Sequence, residues 1–141
     1  PTIADTLDEL ADEFELLGDW QEQLQHVMDM GRALPTLPES ERTEANRVLG
    51  CQSRVWLVTE PLAGGRLRFR ADSDGQISRG NVALLLRLLS DRTPEEILSF
   101  DIKAALDRLG LPQVLTPARS NGVASMVARI RRDAAAALQA A

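Results

Sequence analysis

The chain holds a single cysteine, and its neighbours define the chemistry on offer. Cys51 lies in RVLGCQSRVWLV, residues 47–58, after Gly50 and before Gln52 and Ser53. The thiolate is the nucleophilic form of cysteine, so exposure and nearby charge decide reactivity. Gly50 gives the backbone freedom just before the thiol. Gln52 and Ser53 carry donors able to hold a thiolate or a second sulfur. Most free cysteines are small buried hydrophobes. Such a residue belongs inside the apolar strand, with Val55 or Leu57, rather than at its entrance. The residue types favour a reactive thiol and leave sulfur transfer, hydrolysis, reduction and plain packing open.

Inventory removes several other chemistries. One Cys and one His do not supply the usual ligands of a structural zinc site. A cluster held by this chain alone needs more thiolates. No Gly-rich phosphate loop or dinucleotide fingerprint occurs. DSDG at 72–75 starts like a calcium loop, but the acids that should follow are missing, so it reads as a turn. His26 could meet Cys51 in space as the base of a thiol hydrolase. No sequence neighbour orients it for that role, and it reads as a surface or boundary histidine.

The elements that must position Cys51 follow from periodicity. Ile3, Leu7, Leu10, Phe14 and Leu17 recur at helical spacing. Gly18 can close that helix and Asp19 can cap the next. The second helix places Trp20, Leu24, Val27 and Met28 on its apolar face and ends near Gly31, completing an α-hairpin. From 31 to 46 the pattern fades around Pro35 and Pro38, which predicts a connecting loop with a single helical turn. Ser53–Thr59 reads as a strand in which Trp56 packs. PLAGGR is a turn in which Gly64 and Gly65 can take positive φ. RLRFRAD alternates, with Leu67, Phe69 and Ala71 inward, and Gln76–Ser78 offers a short third strand.

The remainder is helical. Val82, Leu85, Leu86 and Leu89 mark a buried helix. TPEE at 93–96 is a helix start with Thr93 as cap and Pro94 first. Asp101 opens a helix ending at Gly110. Pro112 and Pro117 punctuate a loop before a last helix from about Asn121. The expectation is one α+β domain over 1–141: an N-terminal α-hairpin, a small antiparallel three-stranded meander, and helices packed on one face.

Charge narrows the partners. Residues 1–30 hold nine acids and neither Lys nor Arg. That end repels phosphate, so nucleic acid is not expected as a partner. It is either a solvated helix face or a docking face for a basic protein, which is the binding-module alternative, with Cys51 structural. No apolar run reaches the length of a membrane span. No secretory signal is visible, and a lone cysteine fits a reducing compartment, so the expected location is cytoplasmic. No heptad seam or exposed apolar strip is evident, which points to a monomer.

NRVLGCQSRVWLV closely resembles the active-site segment of the SufE family, sulfur acceptors for cysteine desulfurases. LGDWQEQLQHVMDMGRALPTLP, DSDGQISRGNVALLL, RTPEEILSFD and LTPARSNGVASMVARI resemble further family segments in the same order, so the likeness spans about residues 10–132. The resemblance implies an α+β fold similar to the iron–sulfur scaffold IscU. It implies that Cys51 receives sulfane sulfur as a persulfide. Arg119, in PARSNG, matches a family arginine near the cysteine loop, and Asp74, in SDG, a position in a neighbouring loop. An arginine beside the thiol would favour the thiolate; Asp74 would hold a loop. Gly50, Gln52 and Ser53 support the thiol.

On this reading the protein is an accessory, not an enzyme by itself. Its partners are a desulfurase resembling SufS or CsdA, which it stimulates, and a downstream iron–sulfur assembly complex. Pyridoxal phosphate belongs to the desulfurase, so no cofactor is expected here. The lone cysteine then has a chemical reason. A second thiol in reach would attack the persulfide, form a disulfide and expel sulfide.

Overall fold

The computed structural model describes residues 1–111 and 117–140. Six α-helices and a two-stranded antiparallel sheet make up the fold among the described residues. The helices are α1 (Ile3–Glu15), α2 (Trp20–Ala33), α3 (Gln76–Leu89), α4 (Pro94–Ser99), α5 (Ile102–Leu109) and α6 (Pro117–Ala140). The strands are β1 (Val55–Pro61) and β2 (Leu67–Ser73). They pair from Val55 opposite Ser73 to Pro61 opposite Leu67.

Local chemistry accounts for most boundaries. Thr2 caps α1 in a reciprocal capping box with Asp5, and Thr93 does so with Glu96 at α4. Asp19 and Asp101 accept from the amides three residues on, at the starts of α2 and α5. Gly110 ends α5 in the left-handed conformation. Gly64 and Gly65 take positive φ in the turn between the strands. Leu67, Phe69 and Ala71 enter the apolar core. Leu10, Val27, Val55, Leu84, Leu85, Leu88 and Ile130 meet them there, almost wholly buried.

The third strand is not at Gln76–Ser78, which form the first turn of α3. The helical period runs back that far: Ile77 leads Asn81, Leu84, Leu85 and Leu88 at spacings of four, three, one and three. The free edge of β1 is met from the other side. Val48 donates to Val55 O and Leu57 to Asn46 O, each at 2.8 Å, with an isolated bridge between Arg47 and Trp56. Residues 49–54 are therefore the tip of a hairpin-like turn, and Cys51 is in that tip.

Other expectations shift by a turn or less. α2 runs through Gly31 to Ala33, because Gly31 is a site of close helix approach and not a stop. α6 starts at Pro117, four residues before Asn121, since proline suits the first helical position. Pro112 lies outside the described residues. Trp20 is 59 % exposed and so does not join the apolar face expected of α2. Leu16, near it in the chain, is exposed as well. The 31–46 segment has its helical turn at Glu39–Glu41, yet it is tied down: Leu37 is buried and its amide donates to Asp72. No helix among the described residues is long and apolar enough to cross a membrane.

Candidate functional site

Cys51 opens onto a cleft of about 450 Å³ lined from three directions. Its own turn contributes Gln52 and Ser53. α3 and the glycine before it contribute Gly75, Gln76, Ile77, Ser78 and Asn81. α6 contributes Ala118, Arg119, Gly122 and Met126, and Met28 of α2 completes the lining. The structure thus brings Cys51, Gln52, Ser53 and Arg119 to one cavity across 68 residues of sequence separation, counted from 51 to 119.

The thiol is half-buried and donates a 3.5 Å hydrogen bond to Gly122 O. Burial pushes its pKa up, and the positive charge of Arg47 opposes this only in part. Arg47 lies four residues before Cys51, in the segment bridged to Trp56 of β1, and its residue type alone does not mark it. At rest Cys51 is a protonated thiol held against α6. The rate of its alkylation by iodoacetamide is expected to climb through a midpoint above the ordinary thiol value of about 8.5. Arg47→Gln is expected to move that midpoint higher. A pH series of alkylation rates measures both.

Gly50 is required by its backbone and by its surroundings. Its φ is +93°, and a Cβ there would strike Ser125 Oγ on α6. Gly50→Ala is expected to destabilise the fold by about 1–3 kcal/mol. Because Ser125 Oγ can rotate away, Ser125→Ala should recover only the contact part. Urea midpoints of the single and double variants separate backbone strain from collision.

Asp74 does not line the cleft. Its carboxylate accepts from Arg54 N at 3.0 Å, and its own amide donates to Arg54 O at 3.3 Å. It clips the end of the Cys51 turn to the end of β2. Arg129 does the same from α6, donating to Arg47 O and Ala45 O at 3.2 Å each. It is braced by Asp133, which also accepts from Thr59. Arg129 and Asp133 form one i,i+4 pair on an arginine-rich helix. Residue types alone could not single them out.

Asp72 ties β2 to the 37–42 segment and to α3. It is fully buried and accepts from Leu37 N at 3.0 Å, Ser73 N at 2.8 Å, Arg42 Nη2 at 2.6 Å and from Arg79 Nη1. Arg79 also donates to Gly31 O and Leu34 O. Desolvation raises the Asp72 pKa, but the two backbone amides and the two guanidinium groups outweigh it and hold the carboxyl below the usual range. Arg42 in turn lies 5.2 Å from the centroid of the buried Trp56 ring.

Asn81 is a polar residue within an apolar helix face. It is 4 % exposed, lines the cleft, and its Oδ1 has no hydrogen-bond partner among the described residues. A buried acceptor left unpaired costs about 1–3 kcal/mol. Its signal was available: one amide inside the run GNVALLL, on the face that must be buried.

His26 does not reach this cleft. Its Nε2 lies 3.1 Å from Glu13 Oε1 and its ring meets Phe14 edge-on, on the α1–α2 side. No group of three or more metal-ligating side chains occurs among the described residues.

Comparison with known proteins agrees with this architecture. The model of the SufE family, described as an Fe-S metabolism associated domain, matches residues 8–134. An uncharacterized SufE-like protein of Rhizobium etli is 41 % identical over 132 residues, which is 92 % of this chain and 89 % of the relative. Another from Rhizobium meliloti is 37 % identical over 138 residues, covering 96 % and 99 %. The solution structure of a hypothetical protein from Thermus thermophilus superposes with a TM-score of 0.75 over 95 % of this chain and 96 % of that one. At 21 % identity this likeness is one of fold.

Proposed function

The chain belongs to the SufE family, tied by its description to Fe–S metabolism, and from that premise we propose that Cys51 is a sulfur carrier. It takes sulfane sulfur from a cysteine desulfurase as a persulfide, stimulates that enzyme, and hands the sulfur to iron–sulfur cluster assembly. The observation that carries this reading is the setting of Cys51: a lone thiol in a turn tip, half-buried over a cleft that can house one more sulfur.

The Cys51 thiolate attacks the outer sulfur of the desulfurase persulfide. A new S–S bond forms at Cys51, and the desulfurase cysteine leaves as thiolate. This is thiol–disulfide exchange, governed by the pKa of attacking and leaving groups. The resting thiol is a poor nucleophile while burial keeps it protonated. Docking that swings the turn outward, away from Gly122 O, would relieve the desolvation that keeps it protonated and so activate it. Gly50 is the pivot of that swing, and Asp74 and Arg54 hold the far end of the turn. Gln52, Ser53 and Arg119 line the space the persulfide would enter. A protein acting in this way is an accessory of the desulfurase, and we place it in the cytoplasm as a monomer.

The competing readings draw less support. A thiol hydrolase needs a base near Cys51, and His26 is engaged with Glu13 away from the cleft. An acidic docking module would use the N-terminal face, where Glu13 is paired with Arg87, and Asp8 with Arg108 at 2.7 Å.

The test mixes the protein with a cysteine desulfurase and cysteine and reads intact mass. One added sulfur atom on the wild type, absent from Cys51→Ser, is the expected result. No added sulfur with any desulfurase would overturn the proposal.

A further inference from the structure

The thiol and the persulfide are different ligands for the same cleft. The thiol points to Gly122 O on α6. An S–S bond carries the terminal sulfur about 2.05 Å further and gives it a negative charge once deprotonated. The cleft already holds the parts of an anion site. α3 begins at Gln76 after Gly75, and no side chain among the described residues caps it. The first-turn amides of a helix have no intrahelical acceptor, and the helix dipole adds positive potential there. Gln76, Ile77 and Ser78 of that turn all line the cleft. The Cys51 turn abuts the same point, since a Cβ on Gly75 would come within 2.6 Å of Ser53 Oγ.

Asn81, one turn further along α3, supplies an independent sign. Its buried side-chain oxygen lacks a partner among the described residues, and it lines this cleft. Rotation of the amide exchanges Oδ1 for Nδ2, so an arriving anion meets a donor. Arg119 brings a charged side chain to the lining from α6, and Arg47 acts on Cys51 from the segment paired with β1.

We infer that Asn81 and the uncapped N-terminus of α3 form a binding site for the terminal sulfur of the Cys51 persulfide anion. This deepens the carrier reading and rests on it for its biological meaning. The site stabilises the loaded state selectively, because the thiol sulfur is turned to α6 and makes no use of it. Sulfur is retained in the cleft until docking withdraws the turn.

The experiment loads the persulfide chemically, so it does not depend on any desulfurase. Cys51 is converted to a mixed disulfide with an aromatic thiol. Sulfide then attacks the Cys51 sulfur, the aromatic thiolate leaves, and Cys51 carries S–SH. Iodoacetamide alkylation across pH, followed by intact mass, gives the ionisation midpoint of the persulfide; the same series on unloaded protein gives that of the thiol. Asn81→Leu is expected to raise the persulfide midpoint by roughly one pH unit. Asn81→Asp, which keeps the volume and adds a negative charge, should raise it further, and it reports the effect if the leucine variant fails to fold. In both variants the thiol midpoint should move less than half as far. An unmoved persulfide midpoint, or equal shifts in thiol and persulfide, would overturn the assignment. Either result leaves the desulfurase experiment unaffected, so the two proposals fail separately.

Discussion

Asp72→Asn is expected to lower stability by about 3–5 kcal/mol, the usual cost of removing one partner from a buried ion pair. Asn keeps the shape but has one acceptor oxygen, and Leu37 N and Ser73 N donate to different oxygens of the carboxylate, so it can accept from only one of the two while its NH2 faces the donors left behind. It cannot balance the charges of Arg79 and Arg42, of which Arg79 is the more buried. For a chain of this length the loss corresponds to a fall in Tm of roughly 10–15 °C. Urea denaturation with unchanged m but lower midpoint would identify a stability effect. A loss under about 1 kcal/mol would mean that the network is replaceable.

The same residue predicts a pH dependence. Its pKa is lowered in the folded protein. Its contribution to stability is therefore present above the unfolded value of about 3.9 and is lost as pH falls through the lower folded value. The gap between wild type and Asp72→Asn should be constant near neutrality and narrow below about pH 4. Thermal melts from about pH 2.5 to neutrality measure it.

Gly80→Ala is expected to cost about 2–3 kcal/mol, although alanine is the better helix former by about 1 kcal/mol. α2 and α3 cross at Gly31 and Gly80. A Cβ on Gly80 would lie 2.6 Å from Val27 O, and one on Gly31 2.7 Å from Gly80 N. These neighbours are backbone, so neither can rotate away and the helices must separate. Met28 of α2 and Asn81 of α3 line the cleft, so separation also widens it. Gly80→Ala should thus speed alkylation of Cys51 as well as lowering the urea midpoint. Gly18→Ala is the control: its Cβ would meet only the tip of Glu22 at 3.6 Å, and a change within about 0.5 kcal/mol is expected.

Residue types read correctly wherever the cause of structure is local. Asp19, Thr93 and Asp101 cap helices because a short oxygen can reach an amide three residues on. The alternation in RLRFRAD buries Leu67, Phe69 and Ala71 because strand side chains alternate faces. Local signals are ambiguous where one signal serves two causes. Gly31 suits a helix end and a helix crossing equally, and only the presence of Gly80 opposite decides. Gln76–Ser78 follow a strand and a turn, but the apolar period of α3 claims Ile77. The second partner of β1 is the 46–48 segment, whose polar composition hides a pairing made through backbone.

The sequence by itself determined the place of the lone cysteine, the helix caps, the β-hairpin and the family segment around Cys51. Each of these is written within a few residues, where sterics and short hydrogen bonds act without knowledge of the rest of the chain. Only the tertiary structure decided the state of the thiol. Its burial against Gly122, the charge of Arg47, the tether from Arg129 and the unpaired amide of Asn81 come from segments up to 82 residues apart, as between Arg47 and Arg129. A pKa and a cavity are properties of distance in space, and no local pattern encodes which distant side chains will supply them.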